Sequence, residues 1–217
     1  LADHEEVRIL WTGGSSHLGD LYSIRDPLKN VLAKYPQARF IAFGQEFPVL
    51  KKWFGDRVEL LDWVDPAAYT YRLSTVGHDI NLCPLRPTIF NSCKSAIKWY
   101  ESSAISTPAA TLAPNWGPFR EIKHEETGLL YESQADFERE LGRLIEEKAL
   151  RKRLGASAQD WVKKNRDLKV NAPYLVKWMR ETSDAVKARC SATAEEIAEN
   201  VAALDRGEEK KPLIEVP

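Results

Sequence analysis

Three side chains in the middle of this chain could act together on a ligand: Lys94, Lys98 and Glu101. Their spacings are four and three, so on a single helix they share one face. They follow a short apolar strand, Ile80 to Cys83, and a proline turn. Two ammonium groups and one carboxylate at a strand-helix mouth suit a ligand with both phosphate and hydroxyl groups. The lysines would complement a diphosphate, and the carboxylate would accept hydrogen bonds from ribose or sugar hydroxyls. Asn91 and Ser95 add polar contacts at the start of that helix, where Asn91 is also a candidate N-cap. The plain alternative is a solvated helix face, with Glu101 in a weak surface ion pair to Lys98.

A second candidate is the loop Gly13-Gly14-Ser15-Ser16, between the first apolar strand and the first helix. Glycines let backbone amides approach an anion, and open α/β sheets bind ligands at this strand end. The loop lacks the GxGxxG spacing, and a tight turn would explain it equally well. His17 and Asp20 follow: His17 is a candidate for phosphate or a hydroxyl, Asp20 for the N-cap of the first helix.

The elements that must position these residues alternate. Apolar runs at Val7–Thr12, Arg39–Gly44, Val58–Leu61, Ile80–Cys83 and Ala109–Leu112 read as strands. Helical spacing is expected over Asp20–Tyr35, Pro48–Phe54, Pro66–Thr75 and the segment carrying Lys94 to Glu101. Strands that are apolar throughout, separated by helices, predict a Rossmann-like parallel sheet covered on both faces. Past Tyr131 the pattern is helix only: Gln134–Glu147, Ala149–Asn165, Asn171–Cys190 and Ala192–Leu204. The expected organisation is a Rossmann-like domain at residues 1–165 and a helical tail at residues 166–217. A charged, proline-containing end, from Asp205 on, is expected to fray.

The 217 residues hold 31 basic and 32 acidic side chains, a net charge of −1. That balance excludes a nucleic-acid binder relying on a global basic field. Cys83, Cys93 and Cys190 are odd in number, widely spaced and free of metal pattern, which predicts reduced thiols and a cytoplasmic setting. His4, His78 and His124 show no ligand spacing, so no protein metal site is expected. No apolar run reaches the roughly 18 residues of a membrane span. The chain opens on Leu1-Ala2-Asp3, and we expect it to be part of something longer.

Taken in order, Glu101, Ala104, Pro108, Gly117, Glu121, Gly128, Leu129 and Leu130 resemble the donor-binding half of the group 1, retaining GT-B glycosyltransferases. Phe90, Asn91, Lys94, Ser95, Lys98 and Glu101 look like a polysaccharide or O-antigen type subset. The resemblance covers roughly residues 6–165 and implies retaining transfer from a nucleotide sugar, UDP- or GDP-linked, without a cofactor or essential metal. It implies a glycan or lipid-linked acceptor, held by an amino-terminal domain missing from this sequence, and peripheral membrane contact could come through that missing part or through a surface. It also implies that Gly13, Gly14, Ser15 and His17 face an interdomain cleft. Trp63 or Val64 would face the nucleobase, though Trp63 could equally be core. Gly117 and Arg120, on the Gly-Pro turn, would lie near phosphate, and Glu121 could cap the next helix. The final helices could cross back to the amino-terminal domain as a brace, or simply pack on this one. One departure is plain: members often carry a second glutamate eight positions before the first, and Cys93 stands there.

Two rival readings remain. A non-catalytic interaction module could keep the fold and lose the chemistry, as Cys93 suggests. A nicotinamide-dependent Rossmann enzyme is disfavoured by the missing GxGxxG and by Gly44-Gln45 where an acidic residue should close the second strand.

Overall fold

A computed structural model describes residues 6–44, 47–105 and 107–206. His4, Gln45 and the end from residue 207 on lie outside the described residues. In chain order the elements are β1 (Val7–Gly13), α1 (Leu18–Ser23), α2 (Arg25–Lys34), β2 (Ala38–Gly44), α3 (Val49–Phe54), β3 (Val58–Asp62), α4 (Pro66–Val76), β4 (Ile80–Leu82), α5 (Ile89–Ser92), α6 (Ile97–Ala104), β5 (Ala110–Pro114), β6 (Leu129–Tyr131), α7 (Gln134–Glu146), α8 (Lys148–Arg166) and α9 (Leu168–Asp205). Short 3₁₀ turns occupy Ser15–His17, Gly55–Arg57 and Gly117–Glu121.

The six strands form one sheet in the order β3-β2-β1-β4-β5-β6, and every pair is parallel. Side chains alternate across it. Ile9 and Trp11 of β1 and Phe40 of β2 join a cluster with Leu28 and Leu32 of α2, Leu50 of α3 and Phe137, Leu141 and Leu144 of α7. Leu10, Ile41 and Phe43 point the other way, onto Leu73 and Val76 of α4. Further along that face, Trp99 of α6 meets Cys83, Ala113 and Ala158 of α8. Both faces are therefore covered, and this is the Rossmann-like α/β architecture. β1 and β2 run in register from Val7 with Ala38 to Gly13 with Gly44. Gly44 has φ +130°, and a Cβ there would lie 2.4 Å from the Gly13 carbonyl oxygen, so only glycine fits that strand end.

Several sequence expectations change. The helix expected over Asp20–Tyr35 is two, broken at Ile24. Asp20 caps nothing, because it lies inside α1 and is buried. The helix expected to carry Lys94 through Glu101 is also two, and Lys94 and Ser95 sit in the connection between α5 and α6. Thr88, not Asn91, caps α5, accepting from the Asn91 amide at 3.1 Å. Ser133, not Glu121, caps α7; Glu121 instead accepts from Tyr100 and Arg166. Trp63 is not core but 65% exposed. A sixth strand, Leu129–Tyr131, extends the sheet beyond the five expected. Its three residues are too few for period-2 alternation to appear.

The chain divides into two compact units, Leu1–Arg166 and Asp167–Pro217. In the second, the two helices expected over Asn171–Leu204 are one helix of 38 residues with Pro173 near its start. Pro173 is the sixth residue of that helix, past its first turn, so it has no amide to donate to the Lys169 carbonyl and one intrahelical bond is absent there.

Candidate functional site

The strand order reverses between β1 and β4, whose following loops leave the same sheet edge in opposite directions. Crevices form there in open α/β sheets. A cavity of about 270 Å³ lies at this place, lined by His17 after β1, Pro84 and Leu85 after β4, Lys94 and Ser95 before α6, Lys98 within α6, and Phe119. Lys94 and Lys98 thus meet although they do not share a helix.

Lys98 is held from below. Asn81, in β4, is 2% exposed and donates its amide to the Lys98 carbonyl at 3.1 Å and to Thr111 Oγ1 at 3.2 Å. A polar residue inside an apolar parallel strand must find partners, and the bond to Lys98 fixes the first turn of α6 against β4. The Lys98 ammonium lies 5.3 Å from the Trp11 ring centroid. Burial pulls its pKa down to about 8, against the opposing pull of the Asp20 and Glu101 carboxylates. Cys83 itself is fully buried, which pushes its thiol up to about 12 and keeps it un-ionised.

The opposite wall is built around Asp20. Its carboxylate contacts His17 Nδ1 at 2.9 Å and accepts from the Arg86 amide at 3.0 Å and from Asn91 Nδ2 at 3.0 Å. The Arg86 guanidinium adds an ion pair at 3.6 Å. Burial alone would raise the Asp20 pKa, but the bonds from His17, Arg86 and Asn91 outweigh it and hold the carboxyl below its usual value. Asp20 fixes the His17 tautomer with Nδ1 as donor, which leaves Nε2 as the nitrogen available to a ligand. Lys94 Nζ stands 3.5 Å from His17 Nδ1 and 4.8 Å from the Phe90 ring centroid. Gly19 makes room for Arg86, since a Cβ there would lie 2.4 Å from the guanidinium.

Glu101 follows Lys98 by three residues on α6 and is partly buried. Its partner is the Tyr69 hydroxyl, at 3.1 Å. Burial raises the Glu101 pKa, while Tyr69 and Lys98 oppose the rise.

His17, Lys94, Ser95 and Lys98 therefore line one cavity, and Asn91 supports it from behind. Gly13, Gly14 and Ser15 sit at the same strand end without lining it, Gly14 and Ser15 exposed. Gly117, with φ +61°, opens the turn that brings Phe119 to the cavity wall, whereas Arg120 is exposed and outside the lining. Trp63 and Val64 follow β3, separated from β1 by β2, and Val64 packs on the Leu10 and Ile41 side of the sheet. The sequence reading missed Asn81 and Arg86 and misread Asp20. For Asn81 the signal was present, as a lone amide in an apolar strand. Asp20 and Arg86 are far apart in sequence, and no local pattern joins them.

A larger cavity of about 410 Å³ shares Leu85 and lies past β5 and β6, between Ile24, Trp116, Tyr131 and Phe137. Arg86 is the one cation in its lining. Elsewhere, His124, Glu125 and Glu140 bring ligand-type atoms within 4.8 Å of one another. Arg143 already donates to Glu125 at 2.6 Å and to Glu140 at 2.8 Å, and His124 Nδ1 accepts from the Leu130 amide. The guanidinium takes the place a cation would need. Among the described residues, no helix is long and apolar enough to cross a membrane.

No family model matches the chain, and no curated protein matches it. Solved structures do. The carboxyl-terminal domain of the group 1 glycosyl transferase LpcC from Francisella tularensis aligns with TM-score 0.58 at 17% identity, over 75% of this chain and 87% of that domain. Sucrose-phosphate synthase from Thermosynechococcus elongatus aligns with TM-score 0.63 at 17% identity, over 84% of this chain and 47% of the synthase. TarM from S. aureus, solved with Fondaparinux, alpha-GlcNAc-glycerol and UDP, aligns with TM-score 0.60 at 15% identity, over 82% of this chain and 36% of TarM. The chain thus spans less than half the length of those last two proteins. Its fold is that of the carboxyl-terminal, Rossmann-like domain of group 1 GT-B glycosyltransferases.

Proposed function

We propose that this chain is the donor-binding half of a glycosyltransferase that moves a sugar from a nucleotide sugar to a glycan or lipid-linked acceptor. The observation that carries the reading is the placement of Lys94, Lys98 and His17 around one cavity at the β1/β4 reversal. The fold likeness supports sugar transfer in general, and the UDP in the TarM structure makes uridine diphosphate the first ligand to try, with guanosine diphosphate as the alternative that the sequence resemblance implies.

In this reading the two ammonium groups neutralise the diphosphate as it departs. Catalysis is then mostly positioning and electrostatic stabilisation. Glu101 serves the ribose hydroxyls, with Tyr69 holding one carboxylate oxygen. No protein metal or cofactor takes part. A cavity of about 270 Å³ is at the lower end for a ligand pocket, which fits a site completed by a second domain carrying the acceptor. Three unpaired cysteines suit a reducing, cytoplasmic setting. Cys93, exposed where relatives often carry glutamate, favours a second reading: a module that binds donor without turnover.

Calorimetry with UDP, GDP and the matching nucleosides tests the proposal. Diphosphates are expected to bind more tightly than nucleosides. A folded protein that ignores every diphosphate at millimolar concentration removes both readings. Donor binding with no transfer, in a chain joined to its acceptor domain, leaves the second alone.

A further inference from the structure

The cavity at the β1/β4 reversal is edged by an exposed tip of chain. Every residue from Arg86 to Phe90 is exposed, and so are Ser92 and Cys93. On α5, Ile89 is 88% exposed and Phe90 66%. Ile97, which also lines the cavity, is 50% exposed. An isoleucine with nearly all its surface in water adds almost nothing to the core, so packing does not account for it.

The charge around the tip has one sign. Residues 80–100 carry Arg86, Lys94 and Lys98 and no acidic side chain, in a chain whose net charge is −1. Lys94 Nζ lies 4.8 Å from the Phe90 ring centroid. The turn Gly117–Glu121 packs against α5 and adds the exposed Arg120. The carboxylates on the elements beside α5 are engaged within the protein. Asp20 is 1% exposed and held by His17, Arg86 and Asn91, and Glu121 accepts from Tyr100 and Arg166.

We infer that this tip is a membrane-docking surface: Ile89 and Phe90 enter the interfacial layer of an anionic lipid bilayer, while Arg86 and Arg120 face its phosphates. Two arguments select a lipid surface over a protein partner. The first is charge complementarity. An apolar apex among cations matches an acyl boundary beneath anionic headgroups, and insertion combined with basic side chains supplies the two signals that lasting attachment takes. The second is area. Three side chains expose only a few hundred Å², short of the about 800 Å² per partner of a stable protein interface. A bilayer needs no matching groove, because its interfacial layer closes around a projecting tip. The inference stands on the tip and not on the nucleotide reading. Where both hold, docking brings the cavity mouth to the surface where a lipid-linked acceptor lies.

Vesicle sedimentation of the whole 217-residue chain tests it, comparing phosphatidylcholine with phosphatidylglycerol-rich vesicles. Binding to the anionic vesicles is expected, and it should fall as salt rises. Ile89→Ser combined with Phe90→Ser is expected to weaken it about tenfold or more, and Arg120→Glu about fivefold. These side chains are exposed, so circular dichroism and the urea midpoint of each variant should match the parent. A polarity-sensitive fluorophore on exposed Cys93, in a Cys190→Ser background, should shift to the blue when anionic vesicles are added. Cys83 is fully buried and escapes the label. The same label on Cys190, in a Cys93→Ser background, locates any contact made by α9 instead. A chain that ignores anionic vesicles overturns the inference, including one whose tip is covered only when it is joined to an acceptor domain. So does binding that survives the double serine change, or a shift at Cys190 without one at Cys93.

Discussion

Two carboxylates flank the crevice between β1 and β4, and they are treated in opposite ways. Asp20 is 1% exposed and has four partners, with a pKa held low. Glu101 is less buried, has a hydroxyl for a partner, and its pKa is raised. A carboxylate offers about four acceptor sites. Asp20 has spent its sites inside the protein, so it holds the β1 and β4 loops together. Glu101 keeps acceptor capacity for a ligand. Acidic residues near a pocket are therefore not equivalent, and the count of internal partners separates scaffold from site.

The strongest way to break this contrast is to remove Asp20. Alanine there leaves the Arg86 amide and Asn91 Nδ2 without their buried acceptor and frees His17. The cost is expected to be on the order of 4 kcal/mol, read as a lower urea midpoint. The sign of the pH effect follows from the shift. The Asp20 pKa is below its unfolded value of about 3.9, so its contribution is full above that value and is lost as pH falls through the folded pKa. A variant as stable as the parent would make Asp20 an ordinary surface acid.

Replacing Lys94 and Lys98 together by Ala tests the ligand side. If each ammonium makes a charge-assisted bond, UDP or GDP should lose about 3 kcal/mol, roughly a hundredfold. The nucleoside should lose little, and rising salt should erode the difference in the parent. Equal losses for nucleoside and diphosphate would move the lysines into a supporting role.

The sequence made the sheet legible because buried parallel strands are apolar throughout, and Val7–Gly13, Ala38–Gly44 and Val58–Asp62 lie close to where the pattern put them. It hid the break at Ile24 and the gap between α5 and α6, since apolar spacing continues across both. The lysines were expected together for a helical reason that does not hold for Lys94. They meet because the chain leaves α5 through a turn and re-enters a helix beside β4. What stayed hidden was long-range wiring. Asp20 reaches Asn91 across 71 residues and Arg86 across 66. Only the topology that sets β1 beside β4 reveals such partners.

Glu101→Ala is expected to act on binding alone. A carboxylate serving ribose hydroxyls should be worth about 2 kcal/mol of nucleotide affinity, and calorimetry would read it directly. Stability should change by less than that, because Tyr69 is only partly buried and water can replace its partner. A variant that binds normally but unfolds earlier would place Glu101 beside Asp20 as scaffold and erase the contrast.

The smallest effect per step comes from titrating Lys98, taken one pH unit at a time. Its pKa of about 8 in the folded protein lies below the unfolded value of about 10.4. Between those values the unfolded chain binds more protons, so stability rises with pH by up to about 1.4 kcal/mol per unit. Diphosphate affinity should move the other way, because the ammonium that complements phosphate is being lost. It should fall by up to about tenfold per unit above pH 8, until the pKa of the ligand-bound form is reached. Two opposite slopes from one side chain are hard to produce by any other route. Lys98→Met, similar in length and uncharged, should flatten both curves, while Lys94→Met should leave the stability slope in place. If Lys98→Met keeps either slope, Lys98 is not the buried cation of this crevice, and the ligand side of the contrast would rest on Lys94 and His17.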